Sequence, residues 1–313
     1  MSGFPGGEAG GSTLLVDASV YIFRYYFALP PNWTSRSGYS TEAVYGFTNF
    51  LLDLLALRPA RIACAFDESL GSCFRNDIYP DYKCSRALPD EALAFQLVAC
   101  REMAEAVGIA SFASERYEAD DILATLTRLC RAHGPVVVSR DKDLGQLLDR
   151  GAASLWDFAA DRHLDAAALR ARFGVAPGQI ADFLALVGDP GDDIPGVPGV
   201  GPKTAAQLLA HYDSVDALLD NPAGVADLPV RGAKGLAVKL AQHAGQIAMA
   251  RRLAALEERV PLGSSASELS WRGADIELAQ ALAEEFGIGG LKVKIGRILA
   301  GSAGDATLNK ETV

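Results

Sequence analysis

Acidic residues stand in this chain where divalent-cation chemistry would need them. Asp17 follows the apolar run Leu14-Leu15-Val16, Asp67 follows Ile62–Phe66, and Asp141-Lys142-Asp143 comes just after Pro135–Ser139. A further cluster, Tyr117-Glu118-Ala119-Asp120-Asp121, precedes the helical pattern of Ile122–Cys130. One acid after a strand is commonly a helix cap, and acids in a first helical turn favour the helix dipole. Each cluster alone therefore has a structural reading. Gathered in one crevice, Asp17, Asp67, Glu118, Asp120, Asp121, Asp141 and Asp143 could not all stay ionised without cations. A hard divalent ion with oxygen ligands resolves that repulsion, and Mg²⁺ is the usual choice. So many ligands suit two ions, with Mn²⁺ able to substitute. Paired ions about 3.5–4 Å apart cleave phosphodiesters by holding both attacking and leaving oxygens.

The stretch Gly188-Asp-Pro-Gly-Asp-Asp-Ile-Pro-Gly-Val-Pro-Gly-Val-Gly-Pro-Lys-Thr204 sets Asp189, Asp192 and Asp193 ahead of a glycine turn. Its two halves want opposite partners. Asp189 and Asp192 read as further members of the acidic pocket, supplied by a second, helical region. Gly199-Val200-Gly201-Pro202-Lys203-Thr204 reads as a helix–hairpin–helix turn. Its glycines allow close backbone approach, and free N–H groups at the helix start can hold a phosphate oxygen without reading a base. Lys203 adds a point charge. A lone turn of this kind is as readily an ordinary helix connection.

These residues need a scaffold. Thr13–Val16, Ile62–Phe66 and Pro135–Ser139 have the continuous apolar character of buried parallel strands. Leu51–Leu57, Leu93–Val107 and Ile122–Cys130 carry apolar residues at helical spacing. The order β-α-β-α-α-β predicts an α/β domain, a parallel sheet with helices on both faces, whose strand carboxyl ends line one crevice. The 313 residues suit two domains. No apolar run is long enough to cross a bilayer, and the glycine-rich start has no leader character, so the cytoplasm is expected. Five cysteines, without a CxxC pair, predict reduced thiols rather than zinc or disulfides. The net charge of −10 excludes a protein that merely coats nucleic acid, unless many of its acids share one cation-filled cavity.

With the motifs assembled, the chain resembles the 5′-nuclease superfamily of flap endonucleases and 5′–3′ exonucleases. It is most similar to the N-terminal exonuclease domain of bacterial DNA polymerase I and its stand-alone phage relatives. The matching segments are LLVDAS at Leu14, AVYGF at Ala43, AFD at Ala65, SCFRNDIYPDYKCSR at Ser72, YEADDILATL at Tyr117, SRDKDLGQLL at Ser139 and the stretch from Gly188. The resemblance covers roughly residues 13–262 and implies a PIN-like α/β fold with a helix–hairpin–helix (H3TH) region. It assigns Asp17, Asp67, Glu118 and Asp120 mainly to a first metal ion. Asp121, Asp141, Asp143, Asp189 and Asp192 go mainly to a second. It also implies a helical arch over about residues 67–89, where Lys83 and Arg86 approach the scissile phosphate, Tyr82 stacks on a base and Arg75 contacts DNA. At the hairpin it implies DNA contacts from Gly199, Val200, Gly201, Lys203 and Thr204, with K⁺ at the turn. The expected boundaries are a tail at 1–12, the nuclease domain at 13–172, the H3TH domain at 173–262 and an extension at 263–313 with a disordered polar end. That extension carries a basic patch at Lys292, Lys294 and Arg297.

Some positions depart from the pattern. Ala18 stands where glycine is usual, Asp193 replaces a frequent Asn or Gln, and Arg140 takes the place of a small residue and alters the local charge. The chain stops at Val313 without a polymerase after it. The expected protein is thus a stand-alone, monomeric 5′–3′ exonuclease or flap endonuclease acting on DNA with a 5′ end or flap, with a DNA polymerase as a candidate partner. The alternatives are a non-catalytic DNA-binding protein, for which second-site acids should be missing, and a PIN-type single-strand ribonuclease, which would lack the hairpin.

Overall fold

A computed structural model describes residues 12–69, 72–271 and 273–308. The three apolar runs form its central strands. β1 (Thr13–Asp17) runs into α1 (Ala18–Ala28) and then α2 (Glu42–Leu55). β2 (Arg61–Ala65) is followed by the five-residue α3 (Phe74–Ile78) and by α4 (Glu91–Ala106), capped by Asp90 accepting from Leu93 N. β3 (Ala110–Phe112), α5 (Ala119–Leu129), β4 (Val136–Val138), β5 (Ser154–Asp157) and β6 (Arg162–Leu164) complete the sheet region. Its order is β3-β2-β1-β4-β5-β6. Every pairing is parallel except β5 with β6.

The expected parallel sheet is present in β1 to β5, and a short turn at Phe158–Ala160 adds β6 to its edge as an antiparallel hairpin. The chain moves outward from β1 through β2 to β3, then crosses back to place β4 on the other side of β1. In open α/β sheets such a reversal opens a crevice at the strand carboxyl ends. Asp17 ends β1, and Asp141 and Asp143 follow β4, so the switch point is acidic.

The helical region comprises α6 (Ala166–Phe173), α7 (Ile180–Val187), α8 (Pro202–Tyr212), α9 (Val215–Asp220), α10 (Ala233–Gln242) and α11 (Ala244–Ala254). It has its own core, including Leu184, Val200, Leu208, Leu240 and Ile247. α12 (Ile276–Glu285) and α13 (Lys292–Leu308) then return to the sheet domain. There Ala279, Phe286, Ile295 and Leu299 join the core of α2 and α4. The last segment is thus a further helical layer of the first domain. Its basic patch is largely neutralised: Lys294 reaches Asp53 at 2.5 Å and Lys292 reaches Glu284 at 2.9 Å. Helix α13 continues to Leu308. Residues 309–313, like the N-terminal tail through residue 11, lie outside the described residues.

Among the described residues no helix is long and apolar enough to cross a membrane. All five cysteines are free.

Candidate active site

Each strand-end acid is fixed by its own backbone surroundings. Asp17 caps α1, with Oδ1 accepting from Val20 N at 3.3 Å and Oδ2 from Ser139 Oγ at 2.7 Å. Asp67 donates its N–H to Ser19 Oγ at 2.9 Å, while its Oδ1 accepts from the Ser69 hydroxyl at 2.8 Å. Beyond β4, Asp141 N donates to Ser139 Oγ at 3.0 Å and Asp143 N to Asp141 Oδ1 at 2.9 Å. Asp120 sits in the first turn of α5, which Glu118 caps.

Asp189 and Asp192 come from the helical region, on the loop after α7 that an Asp189–Ile194 bridge closes. The neck of that loop is backbone against backbone. A Cβ on Gly188, at φ +83°, would lie 2.6 Å from Gly196 N, and one on Gly196 would lie 2.1 Å from Val187 O. Only glycine fits either position.

Asp17, Asp67, Asp120, Asp141, Asp143, Asp189 and Asp192 line one cleft of about 320 Å³. Glu118 lines an adjoining cleft of about 330 Å³ that shares Asp67, Lys83 and Arg86 with the first. Crowding perturbs these carboxyls as expected. Burial, then repulsion from Asp141 and Asp67, pushes Asp17 up to about 7. Burial and repulsion from Asp141 likewise push Asp143 up to about 7 and hold Asp120 well above the ordinary range. Asp67 is raised by burial and by Glu118. Asp143 Oδ1 is buried with no hydrogen-bond partner. Glu118 goes the other way: burial opposes its charge, but Lys83 and Arg75 outweigh it and lower the pKa.

The chain's own cations partly answer these acids. Lys83 pairs with Glu118 and lies 3.7 Å from Asp192. Arg86 meets Asp192 at 2.5 Å, and Lys142 meets Asp189 at 3.2 Å. Among the described residues, no three acidic, His or Cys side chains converge as a ready metal site. The all-oxygen lining of the cleft fits a divalent cation, and Asp143 Oδ1, buried without a hydrogen bond, has only Lys142 Nζ at 3.7 Å to offset its charge.

The structure corrects four of the sequence expectations. Asp121 is fully buried and faces Arg75, whose Nη1 and Nη2 donate to its two oxygens at 2.7 and 2.8 Å. It also accepts from Glu118 N and Glu257 N, so it closes a capping arrangement rather than lining the cleft. Arg75 is 2% exposed and spends its remaining donors on Glu118, Leu253 O and Ala255 O. A guanidinium so enclosed has no face for DNA. Tyr82 is 4% exposed, its hydroxyl directed at Glu118 Oε2 (2.9 Å) and Asp192 Oδ2 (3.2 Å), so its ring is no open stacking platform. Val200 packs in the helical core and its N–H donates to Val197 O at 3.0 Å, which leaves it nothing for phosphate.

The segment expected as a helical arch is, over its described residues, the short α3 followed by turns that form a strap across the cleft. The strap is fastened to the 189–193 loop. Lys83 N donates to Asp192 O at 3.1 Å, Ser85 N to Asp193 Oδ2 at 2.8 Å and Arg86 Nε to Gly191 O at 3.1 Å. Lys83 and Asp193 both have positive φ, 55° and 56°, a conformation costing non-glycine residues about 1–2 kcal/mol each. The bonds just named hold them there.

At the hairpin, Gly199 has φ +84°, Gly201 precedes α8 and Pro202 occupies its first position. The first N–H groups of such a helix have no intrahelical acceptor. Lys203 is exposed beside them. Lys239 of α10 reaches the same turn, donating to Pro198 O at 3.1 Å.

Sequence reasoning missed Ser19, Ser139, Lys142 and Lys239. Lys142 was the findable one, since it lies between two acids of the cleft. The serines and Lys239 act through partners distant in sequence.

Comparisons with known proteins agree with this geometry. Residues 12–174 match the family described as 5′-3′ exonuclease, N-terminal resolvase-like domain, and residues 175–277 match 5′-3′ exonuclease, C-terminal SAM fold. DNA polymerase I of Pseudomonas aeruginosa is 41% identical over 254 residues, spanning 80% of this chain and 27% of that protein. DNA polymerase I of Bacillus subtilis is 33% identical over 306 residues, spanning 94% and 33%. The chain therefore spans about a third of the length of these curated relatives, or less. Among solved structures, T5 5′-exonuclease with zinc bound has a TM-score of 0.62 at 20% identity, over 92% of this chain and 99% of that one. Human GEN1 in complex with Holliday junction DNA has a TM-score of 0.66 at 15% identity, over 97% and 75%. These two likenesses speak for the fold. The family models and the polymerase relatives carry the assignment: this chain belongs to the 5′-3′ exonuclease family.

Proposed function

We propose that the chain is a divalent-metal-dependent nuclease that hydrolyses DNA phosphodiesters at a 5′ end or 5′ flap. The observation that carries this reading is the cleft in which seven carboxylates from two regions of the chain meet, with Asp143 Oδ1 buried and without a hydrogen bond. Asp17, Asp67, Glu118 and Asp120 would serve mainly one cation, and Asp141, Asp143, Asp189 and Asp192 mainly a second. Mg²⁺ fits this all-oxygen donor set, as does Mn²⁺. Two such ions, when bound, supply Lewis-acid activation of water and of the leaving oxygen.

The chain's own residues provide the rest. Lys83 and Arg86, released from Glu118 and Asp192, offer donors to the non-bridging phosphate oxygens where charge accumulates during the reaction. Tyr82 and Arg75, both bonded to Glu118, set the orientation of that carboxylate from behind. In-line attack of water on phosphorus breaks the bond to the 3′ oxygen, leaving a 3′-hydroxyl on one product and a 5′-phosphate on the other. Lys203 and the backbone at Gly199 and Gly201 would hold the duplex by its phosphates, a position that also suits K⁺. That the curated relatives are DNA polymerases supports a polymerase as partner.

The test is cleavage of a labelled 5′-flap duplex, with and without Mg²⁺, by the parent and by Asp120→Ala. The parent should cut only with the ion, and the variant should bind the duplex but not cut it. Turnover by the variant at saturating Mg²⁺ would remove the two-metal reading, and binding without any cleavage by the parent would leave a DNA-binding protein.

A further inference from the structure

At the carboxyl ends of β4 and β5, beside the antiparallel β6, lies a second cleft, of about 220 Å³, that the acidic one does not account for. It shares Asp141 and Lys142 with the acidic cleft, so the two are contiguous. Its charge is reversed. Arg140, Lys142, Arg162 and Arg172 line it against only Asp141 and Asp157, in a chain whose formal net charge is −10.

Its cations are not equivalent. Arg162 bonds Asp157 at 3.3 Å and Lys142 bonds Asp189 at 3.2 Å. Arg140 and Arg172 are exposed, and among the described residues neither forms an ion pair. Arg172 rests over the ring of Phe173, 5.2 Å from its centroid, which stiffens the side chain without using its donors. The His163 ring stacks on Trp156 and bonds Ser154 Oγ at 3.2 Å, so it serves as a wall rather than a charge. Structure alone gives Arg140 and Arg172 no work, since no fold contact consumes either guanidinium.

We propose that Arg140 and Arg172 form a phosphate subsite, taking a backbone phosphate of the cut strand one or two nucleotides from the scissile one. The inference rests on the nuclease reading of the acidic cleft. Guanidinium matches phosphate as a planar fork, keeps its charge at every physiological pH and holds its shell of water weakly. The two guanidiniums that face the cleft read charge, not sequence. A strand with its scissile phosphate among the acids is repelled there until cations bind. An adjoining site of opposite sign offsets that repulsion and fixes the register of the strand.

The test uses the full chain, Arg140→Ser/Arg172→Ala, and 5′-flap duplexes in which one linkage at a time is replaced by neutral methylphosphonate. Both side chains are exposed, so the variant should melt with the parent. The substrate concentration for half-maximal cleavage should rise about tenfold, the loss of one charge-assisted contact of about 1.4 kcal/mol. The loss should fall there rather than on the maximal rate. In the parent, one methylphosphonate next to the scissile linkage should reproduce the rise, and in the variant that substitution should add nothing. Losses that add at every linkage, or a sensitive linkage on the uncut strand, would overturn the subsite while leaving the nuclease reading intact. A parent that cuts none of these substrates overturns both.

Discussion

Replacing Arg75 separates two roles that the sequence alone left confused. A solvent-facing arginine of a DNA-binding strap should be dispensable for folding, whereas the structure places this one among Asp121, Glu118 and the carbonyls of Leu253 and Ala255. Arg75→Ala would leave Asp121, with no measurable exposure, and Glu118, at 5%, facing each other without their shared cation. Breaking a buried pair in this way costs about 3–5 kcal/mol. With a urea slope of about 3 kcal/mol/M, the unfolding midpoint should fall by at least about 1 M.

The effect should also depend on pH, and the direction is fixed. In the parent Glu118 titrates below its ordinary value of 4.5, so its contribution is present above that pH and is lost as pH falls through the lowered value. Without Arg75 the penalty comes from charged carboxylates, and the difference between variant and parent should narrow as pH falls below about 4.5. Urea unfolding followed by circular dichroism at pH 7 and pH 4, beside duplex binding in Ca²⁺, checks both points. A variant that unfolds with the parent yet fails to bind duplex would refute the reasoning and return Arg75 to the DNA interface.

Asp17 and Asp143 titrate near 7 instead of 3.8, so the folded, metal-free protein holds extra protons between those values. Its melting temperature in EDTA should decline as pH rises across that window, and saturating Mg²⁺ should flatten the decline; a flat profile in EDTA would mean that the cleft carries no such strain. Lys83→Ala should slow single-turnover cleavage by about 10²-fold, because a donor aimed at developing phosphate charge acts mostly in the transition state. A loss of affinity with an unchanged chemical step would make Lys83 a simple phosphate contact. Lys203→Ala should weaken duplex binding equally across sequences and reduce the slope of log K against log salt by about 0.9. Equal losses on duplex and on a short single strand would show that the hairpin only supports the fold.

The acids were legible because each follows a short apolar run or opens a helix, patterns that depend on adjacent residues alone. The central strands and the helices before and after them were legible for the same reason. β3 escaped because Ala110-Ser-Phe112 is only three residues long and half-exposed, too little to form a run. β6 escaped because its pairing depends on a turn, not on apolar content. Arg75, Tyr82 and Asp121 were misread for a single physical reason. Sequence shows that a cation and an aromatic lie close together on the strap, but not that Glu118 and Asp121, more than 35 residues on, close over them. Local chemistry was visible, and burial was not.

The glycine neck of the 188–196 loop limits how such a protein can vary. At Gly188 and Gly196 an added methyl group would strike main-chain atoms, which cannot swing aside as a side chain can. A randomised library across this loop, selected for cleavage, should return glycine at both ends while admitting many residues at the exposed Pro190 between them. The positions that hold Asp189 and Asp192 in place are thus nearly closed to mutational drift although they carry no functional group. Adaptation of this nuclease to new substrates has its freedom elsewhere, in the strap and along the β5–β6 hairpin.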